Sequence, residues 1–303
     1  MLGLNDKSWL VEKFYETHYS QFAERPQDSK ERPRAYDTYF GMGRSIRLID
    51  EIGVFKISPA GLALGNYILK TLHDDELKGK CLDVGTGSGV LALLLRDMGA
   101  KSIVGTDISA AAVNLAIRNE TLNFGNRKIC FTVGDFFSAL PNELQKFDTV
   151  IFNPPGWRTP SVNLLEYLLA IDNPEELAVS AMFYGDGLLL KFLQELPFHL
   201  KESGRAIIGL NSLVGIKDVL GRYRNQHCDT CPLQFRLLER HAFPLLFYSE
   251  HWRKIAPRLL EEFSQWREQQ RAAYSLDSQG TLYWSYELVE CIWNKKQAAR
   301  AYG

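Results

Sequence analysis

The chain has 303 residues, with 35 Lys and Arg against 36 Asp and Glu, a net charge of −1, and 46% hydrophobic and 12% aromatic residues. Disorder requires few apolar residues and a large net charge, and a collagen-like chain requires periodic glycine, so both classes are excluded. The balanced charge also weighs against a general binder of nucleic acid or of anionic membrane, while leaving a local basic face open.

No apolar run reaches the ~18 to 20 residues needed to span a bilayer, since the stretches 89–95 and 162–170 are soon interrupted by charge. The opening, MLGLNDKSWLVEKFYE, carries early acids and lacks a basic segment followed by an apolar core. It does not read as a secretory signal, and the expected location is the cytoplasm. Five cysteines, an odd number, fit a reducing compartment rather than a disulfide framework. Cys81, Cys130 and Cys291 lie in apolar runs and read as small core residues. Cys228 and Cys231 form one CxxC beside His227, with His241 downstream, but a structural zinc takes four such ligands and the second pair is missing. The segment reads as a loop ended by Pro232, and no metal is expected.

In chain order, residues 6–22 show helical spacing of Trp9, Leu10, Phe14, Tyr15 and Tyr19 after a cap candidate at Asn5 or Asp6. The charged stretch 23–35 reads as a linker or mobile loop, residues 38–52 as a second helix, 53–59 as a short extended piece and 61–72 as another helix. From residue 79 strand-length apolar runs alternate with helical patterns. Strands are expected at 80–84, 102–106, 129–133, 147–152 and 204–210, and helices at 90–98, 110–119 and 213–223. Such alternation implies a parallel sheet covered by helices on both faces. Extended pieces at 235–242 and 282–293 flank a charged helix at about 252–274, with Trp252, Leu259, Phe263 and Trp266 facing inward; a helix at 288–293 is the alternative for the last piece.

The segment that carries chemistry is Cys81-Leu-Asp-Val-Gly-Thr-Gly-Ser-Gly-Val90, where a buried strand runs into glycines at 85, 87 and 89 and then a helix. Glycine serves where the chain needs a positive φ or where a ligand approaches the backbone. In an open α/β sheet that loop lies at the carboxyl end of a strand, where ligands bind. The dinucleotide fingerprint G-x-G-x-x-G/A would place Gly or Ala at 90, which is Val90, and an acid at 83 is ill-suited to a pyrophosphate. An NAD-dependent oxidoreductase is therefore disfavoured. A carboxylate there suits a ligand with an ammonium group.

The stretch LDVGTGSG resembles the first motif of class I S-adenosylmethionine (SAM)-dependent methyltransferases, and three later strand ends extend the resemblance. Asp107 follows the next strand, where the family's acid accepts the ribose hydroxyls. Asp135, in Val-Gly-Asp-Phe-Phe137, follows the third, where the acid contacts the adenine amino group and the next side chain packs on the ring. Asn153-Pro-Pro-Gly-Trp157 follows the fourth, where the acceptor meets the methyl group. The resemblance implies a cofactor site of Asp83, Gly85, Thr86, Gly87, Gly89, Asp107, Ile108, Asp135, Phe136 and Asn153, catalytic roles for Asn153 and Pro154, and acceptor contacts from Pro155 and Trp157. The fold it implies is a seven-stranded Rossmann-like sheet over residues 75–303. Residues 1–74 read separately as a helical extension or lid, in whose loop Arg32, Arg34 and Tyr36 are candidates to close over the cofactor, as mobile loops do in enzymes that exclude water.

An Asn-Pro-Pro motif marks the branch of the family that methylates nitrogens on planar groups, either glutamine side chains of release factors and a ribosomal protein or nucleobase amines. Phe55-Lys-Ile-Ser-Pro-Ala60 and Tyr184-Gly-Asp-Gly-Leu-Leu189 resemble the glutamine branch. Gly156 stands where that family places an aromatic, and Trp157 comes next. The implied acceptor is a protein glutamine or a small-molecule or peptide amide or amine. A nucleobase N-methyltransferase and a non-catalytic SAM-binding scaffold are the alternatives. Tyr283, Trp284, Tyr286 and Trp293 read as packing residues rather than as the lining of an acceptor cavity.

Overall fold

A computed structural model describes residues 35–51, 53–54, 56–140, 146–171, 179–227, 230–245 and 250–294. The expected helix at 6–22, the linker before Ala35, Arg32, Arg34, Cys228 and the side chain of Trp252 lie outside the described residues.

The described chain opens with a hairpin of β1 (Ala35–Gly41) and β2 (Arg44–Ile49), paired antiparallel. This overturns the helix expected over 38–52. The governing period is two, with Thr38, Phe40, Ile46 and Leu48 buried and their neighbours outside, and Gly41, Met42 and Gly43 turn the chain with φ of 117°, 49° and 78°. The hairpin is docked from two sides. Phe40 packs so closely on α1 (Pro59–Thr71) that a Cβ on Gly65 would lie 2.2 Å from its ring. On the other side, Asn119 Oδ1 accepts from the Ile49 amide at 2.9 Å, and Asn123 Oδ1 accepts from the Arg47 amide at 2.8 Å. Both asparagines belong to α4 (Ala110–Phe124), so the edge of β2 is satisfied by the unit that carries the sheet.

A short α2 (Asp74–Leu77) leads to β3 (Lys80–Val84), α3 (Val90–Asp97), β4 (Ser102–Asp107), α4, β5 (Cys130–Val133) and β6 (Phe147–Phe152). After α5 (Val162–Ile171) and α6 (Gly185–His199) come β7 (Leu200–Asn211), α7 (Ile216–His227), β8 (Leu233–Pro244), α8 (Glu250–Glu268), β9 (Tyr274–Leu276) and β10 (Leu282–Trp293). The expected helix at 213–223 is split, because Gly215 at φ 81° separates a 3-10 turn at 212–214 from α7. The helix expected to run to 274 stops at Glu268, and Tyr274 begins a strand. Residues 282–293 are extended throughout.

Among the described residues β3 to β10 form one eight-stranded sheet, separate from the hairpin, in the order β5-β4-β3-β6-β7-β10-β8, with β9 added on β10. β5, β4, β3, β6 and β7 are parallel, and β10 runs antiparallel to β7, β8 and β9. The path goes outward from β3 through β4 to β5 and then returns to place β6 on the other side of β3. That reversal opens a crevice at the carboxyl ends of β3 and β6. One core, with Leu64, Ile68, Leu91 and Ile207, joins the hairpin, α1 and α3 to one face. A second, with Phe152, Phe192, Leu196 and Tyr223, packs α6 and α7 on the other. A third gathers Trp157, Leu164, Phe263 and Trp266 where α5 and α8 cover the end of the sheet.

Candidate active site

Asp83, at the end of β3, is 2% exposed. Its Oδ2 accepts from Thr86 Oγ1 at 2.7 Å and from the Ala92 amide at 3.2 Å. Burial is the main influence on this carboxyl and pushes it up to about 7, with the two hydrogen bonds opposing and the nearby Asp107 adding to the rise. No basic side chain pairs with it among the described residues. The loop that follows holds Gly85, Gly87 and Gly89 at φ of 65°, 54° and 82°. Gly87 and Gly89 serve different ends. A Cβ on Gly89 would lie 2.8 Å from the Ala116 Cβ, so this glycine lets α4 approach the start of α3, whereas the space above Gly87 is open.

Asp107 closes β4 and clamps this loop: Oδ2 accepts from the Gly87 amide and Oδ1 from the Ser109 amide, each at 2.8 Å. The neighbouring Ile108 is exposed. Replacing Asp107 by alanine frees the Gly87 amide as well as removing the carboxylate, so SAM affinity measured by calorimetry is expected to fall roughly 10-fold or more, in line with the loss of a charge-assisted hydrogen bond and its positioning effect. Unchanged affinity would show that neither the clamp nor the carboxylate serves the cofactor.

Beyond β5, Phe136 sits at φ 47°, unusual for a residue with a side chain, and is held there edge-on to Phe152 at 5.5 Å. Asp135 forms an ion pair with Lys191 of α6, whose ammonium lies 5.5 Å from the centre of the Phe136 ring. Lys191 had no signal in the sequence, because its role depends on α6 crossing the end of β5.

Asn153 and Pro154 leave the end of β6, next to the β3 loop in the sheet order. Asn153 Oδ1 accepts a hydrogen bond of 2.8 Å from the hydroxyl of Tyr286, on β10. The following loop is lashed to the start of α6: the Trp157 amide donates to the Met182 carbonyl at 3.0 Å, and the Gly185 amide to the Trp157 carbonyl at 2.8 Å. Gly185 permits this approach, since a Cβ there would lie 2.2 Å from the Pro155 carbonyl oxygen. Asp186 accepts from the amide and hydroxyl of Thr159, at 2.7 and 2.8 Å, and pairs with Arg158 and Arg222. Burial alone would raise this carboxyl, but the Thr159 hydrogen bonds and the two guanidinium groups outweigh it and hold it below its ordinary value. The Gly-Asp-Gly stretch thus anchors the loop that follows β6.

Gly156 has a packing reason. A Cβ there would lie 2.6 Å from Asn211 Nδ2, at the end of β7. Trp157 is 2% exposed and meets Phe183 and Phe263 edge-on at 5.2 and 5.1 Å. The indole expected to face the acceptor is instead part of the third core, because the loop at 153–158 turns it under α8. Pro154 and Pro155 remain partly exposed beside Asn153. Tyr36 is half-buried against the first core, where burial pushes its hydroxyl up to about 12.

A glycine loop at the switch point of a parallel sheet, with an antiparallel strand inserted beside the last parallel one, is the class I methyltransferase fold. Residues 45–165 match the family model described as "Methyltransferase small domain". The chain is 35% identical over 159 residues to a Methanocaldococcus jannaschii protein named "Putative protein N5-glutamine methyltransferase", an alignment covering 52% of this chain and 74% of that one. It is 30% identical over 158 residues to the release factor glutamine methyltransferase of Staphylococcus aureus, covering 51% of this chain and 54% of the relative, so it spans only about half of that protein. The fold is shared with SMU.776, solved complexed with SAH, at a TM-score of 0.53 and 12% identity over 94% of this chain and 66% of that one. The chain belongs to the methyltransferase small domain family of SAM-dependent methyltransferases. Among the described residues no helix is long and apolar enough to cross a membrane.

Proposed function

We propose that the protein transfers the methyl group of SAM to the side-chain nitrogen of a protein glutamine in the cytoplasm. The observation that carries this reading is Asn153 at the end of β6, whose Oδ1 is held by a buried donor and is followed in the chain by Pro154, which offers a second acceptor in its carbonyl. A primary amide presents two N–H donors in one plane, and two neighbouring oxygen acceptors suit it. The names of the two relatives quoted above support the same acceptor.

The residues present fit SAM. A buried carboxyl with no basic partner among the described residues calls for a cation, and the open space above Gly87 admits a ligand to the backbone. Asp83 and the 85–89 loop would hold its amino-acid end, Asp107 its ribose and Asp135 with Phe136 its base. Bound SAM supplies the electrophile, a methyl group on a sulfonium sulfur. An amide nitrogen is a poor nucleophile because its lone pair is delocalised into the carbonyl. Two acceptors on its N–H groups fix its orientation and favour positive charge as it develops on nitrogen. Pro154, which has no N–H, offers only its carbonyl at that point. The methylated nitrogen is acidic and loses its proton to solvent, so the site needs no strong base.

The test uses SAM carrying a tritiated methyl group, with dialysed soluble protein and, separately, total RNA as acceptor pools. Label in protein, recovered as N5-methylglutamine after enzymatic digestion to amino acids, is the expected result. Label confined to RNA overturns the acceptor assignment in favour of a nucleobase, and no transfer to either pool overturns the reading.

A further inference from the structure

We propose that Tyr286 is a positioning residue for methyl transfer, which fixes the Asn153 side-chain amide so that its oxygen is the end offered to the acceptor nitrogen. The inference rests on the acceptor role of Asn153 argued above.

The placement crosses three strands. In the register of the sheet Phe152 of β6 lies beside Ile208 of β7, which sets Asn153 alongside Gly209, while Leu288 of β10 lies opposite Gly209. Tyr286, two residues from Leu288, shares its face of the sheet and leans over β7 to reach Asn153. Only glycine permits that path. A Cβ on Gly209 would lie 1.8 Å from the Tyr286 hydroxyl and 2.5 Å from the ring carbon that bears it.

The chemistry of the contact is directional. Tyr286 is 2% exposed, and burial pushes its hydroxyl well above its ordinary value, so it remains a donor. Its proton goes to Asn153 Oδ1, the only hydrogen-bond partner of that hydroxyl among the described residues. A carbonyl oxygen carries two lone pairs, so one receives the tyrosine proton and the other remains for a substrate N–H. Without the hydroxyl the amide can turn over by half a rotation and present its NH2 group, which repels the N–H donors of an amide acceptor. A ring that served only as packing would have no need of the hydroxyl, and phenylalanine would do as well.

Tyr286→Phe retains the ring and removes only the donor. We expect the rate of methyl transfer from tritiated SAM to the soluble-protein pool to fall roughly 10- to 10²-fold, the scale of a misplaced reacting group. SAH affinity by calorimetry is expected to stay within about two-fold of wild type, since the variant touches no residue of the glycine loop. A second measurement does not depend on the acceptor. In 15N-labelled protein with SAH, the side-chain NH2 signals of Asn153, assigned by their loss in Asn153→Ala, should shift and broaden in Tyr286→Phe as the amide regains rotation. A transfer rate within about two-fold of wild type, or an unmoved Asn153 pair, overturns the positioning role while leaving the function of Asn153 standing. If Asn153→Ala itself keeps the wild-type rate, the acceptor reading fails and the role of Tyr286 falls with it.

Discussion

Replacing Asn153 by alanine is expected to reduce methyl transfer by at least roughly 10²-fold, the scale seen when one preorganised polar group at a reacting centre is removed. The reason lies in what the variant leaves behind. The Pro154 carbonyl still accepts one N–H of the acceptor, but a single hydrogen bond leaves the amide free to rotate about it, and the nitrogen spends little time aligned for attack. The variant also strands the buried Tyr286 hydroxyl, whose partner is Asn153 Oδ1, so a modest stability loss of about 1 to 3 kcal/mol accompanies the loss of activity. Cofactor affinity is expected to change little, because the carboxylates and loop amides that would hold SAM belong to β3, β4 and β5. Asn153→Asp gives the sharper comparison. It keeps an oxygen for Tyr286 and an oxygen for the substrate, and should retain more activity than alanine. Equal activities in wild type and alanine variants would remove Asn153 from the mechanism, and an aspartate variant less active than alanine would contradict the acceptor role.

Much of this site lies in contiguous stretches of sequence, which is why it could be read there. The glycine loop, Asp107, Asp135 and Asn153 each end a strand whose apolar run is visible locally, and β6 and β10 have the expected limits. What escaped the sequence depends on partners far along the chain. Residues 38–52 have apolar positions compatible with either a helix or a hairpin, and the choice is made by Gly65, Asn119 and Asn123, which receive the hairpin. Trp157 looked like an acceptor contact because it follows the two prolines, but Phe183 and Phe263 draw it into the core. Tyr286 does pack, in the first core against Phe243 and Trp284, as a buried aromatic in a strand usually does, but that reading says nothing of its hydroxyl. Its hydroxyl acquires a function only because Gly209 lacks a side chain and Asn153 lies across the gap.

Opposite pH dependences for folding and for cofactor binding are expected from Asp83. Its folded value, about 7, lies above the ordinary 3.8, so the ligand-free fold holds a proton that the unfolded chain has already lost. That preference favours the fold below the ordinary value and is lost as pH rises through about 7. The melting temperature of the ligand-free protein should therefore drop between pH 5 and about 7.5, and Asp83→Asn, which buries an amide without charge, should flatten that drop. Binding a cation reverses the sign. Only the ionised carboxylate attracts an ammonium group, so binding SAM below pH 7 must expel the proton, and affinity should fall by up to about ten-fold per pH unit on the acid side. Above roughly pH 8 an α-amino group begins to lose its own charge, which places the tightest binding between about 7 and 8. Calorimetry at pH 5.5, 6.5 and 7.5 reads the acid limb directly, and titration in buffers of different ionisation enthalpy counts the proton released, about one per SAM at the lowest pH. Asp83→Asn should bind weakly at all three values with no proton release. Wild-type affinity that is flat across this range, with no proton exchanged, would mean that the buried carboxyl remains neutral beside the bound ligand and serves only to hold Thr86 and Ala92 in place.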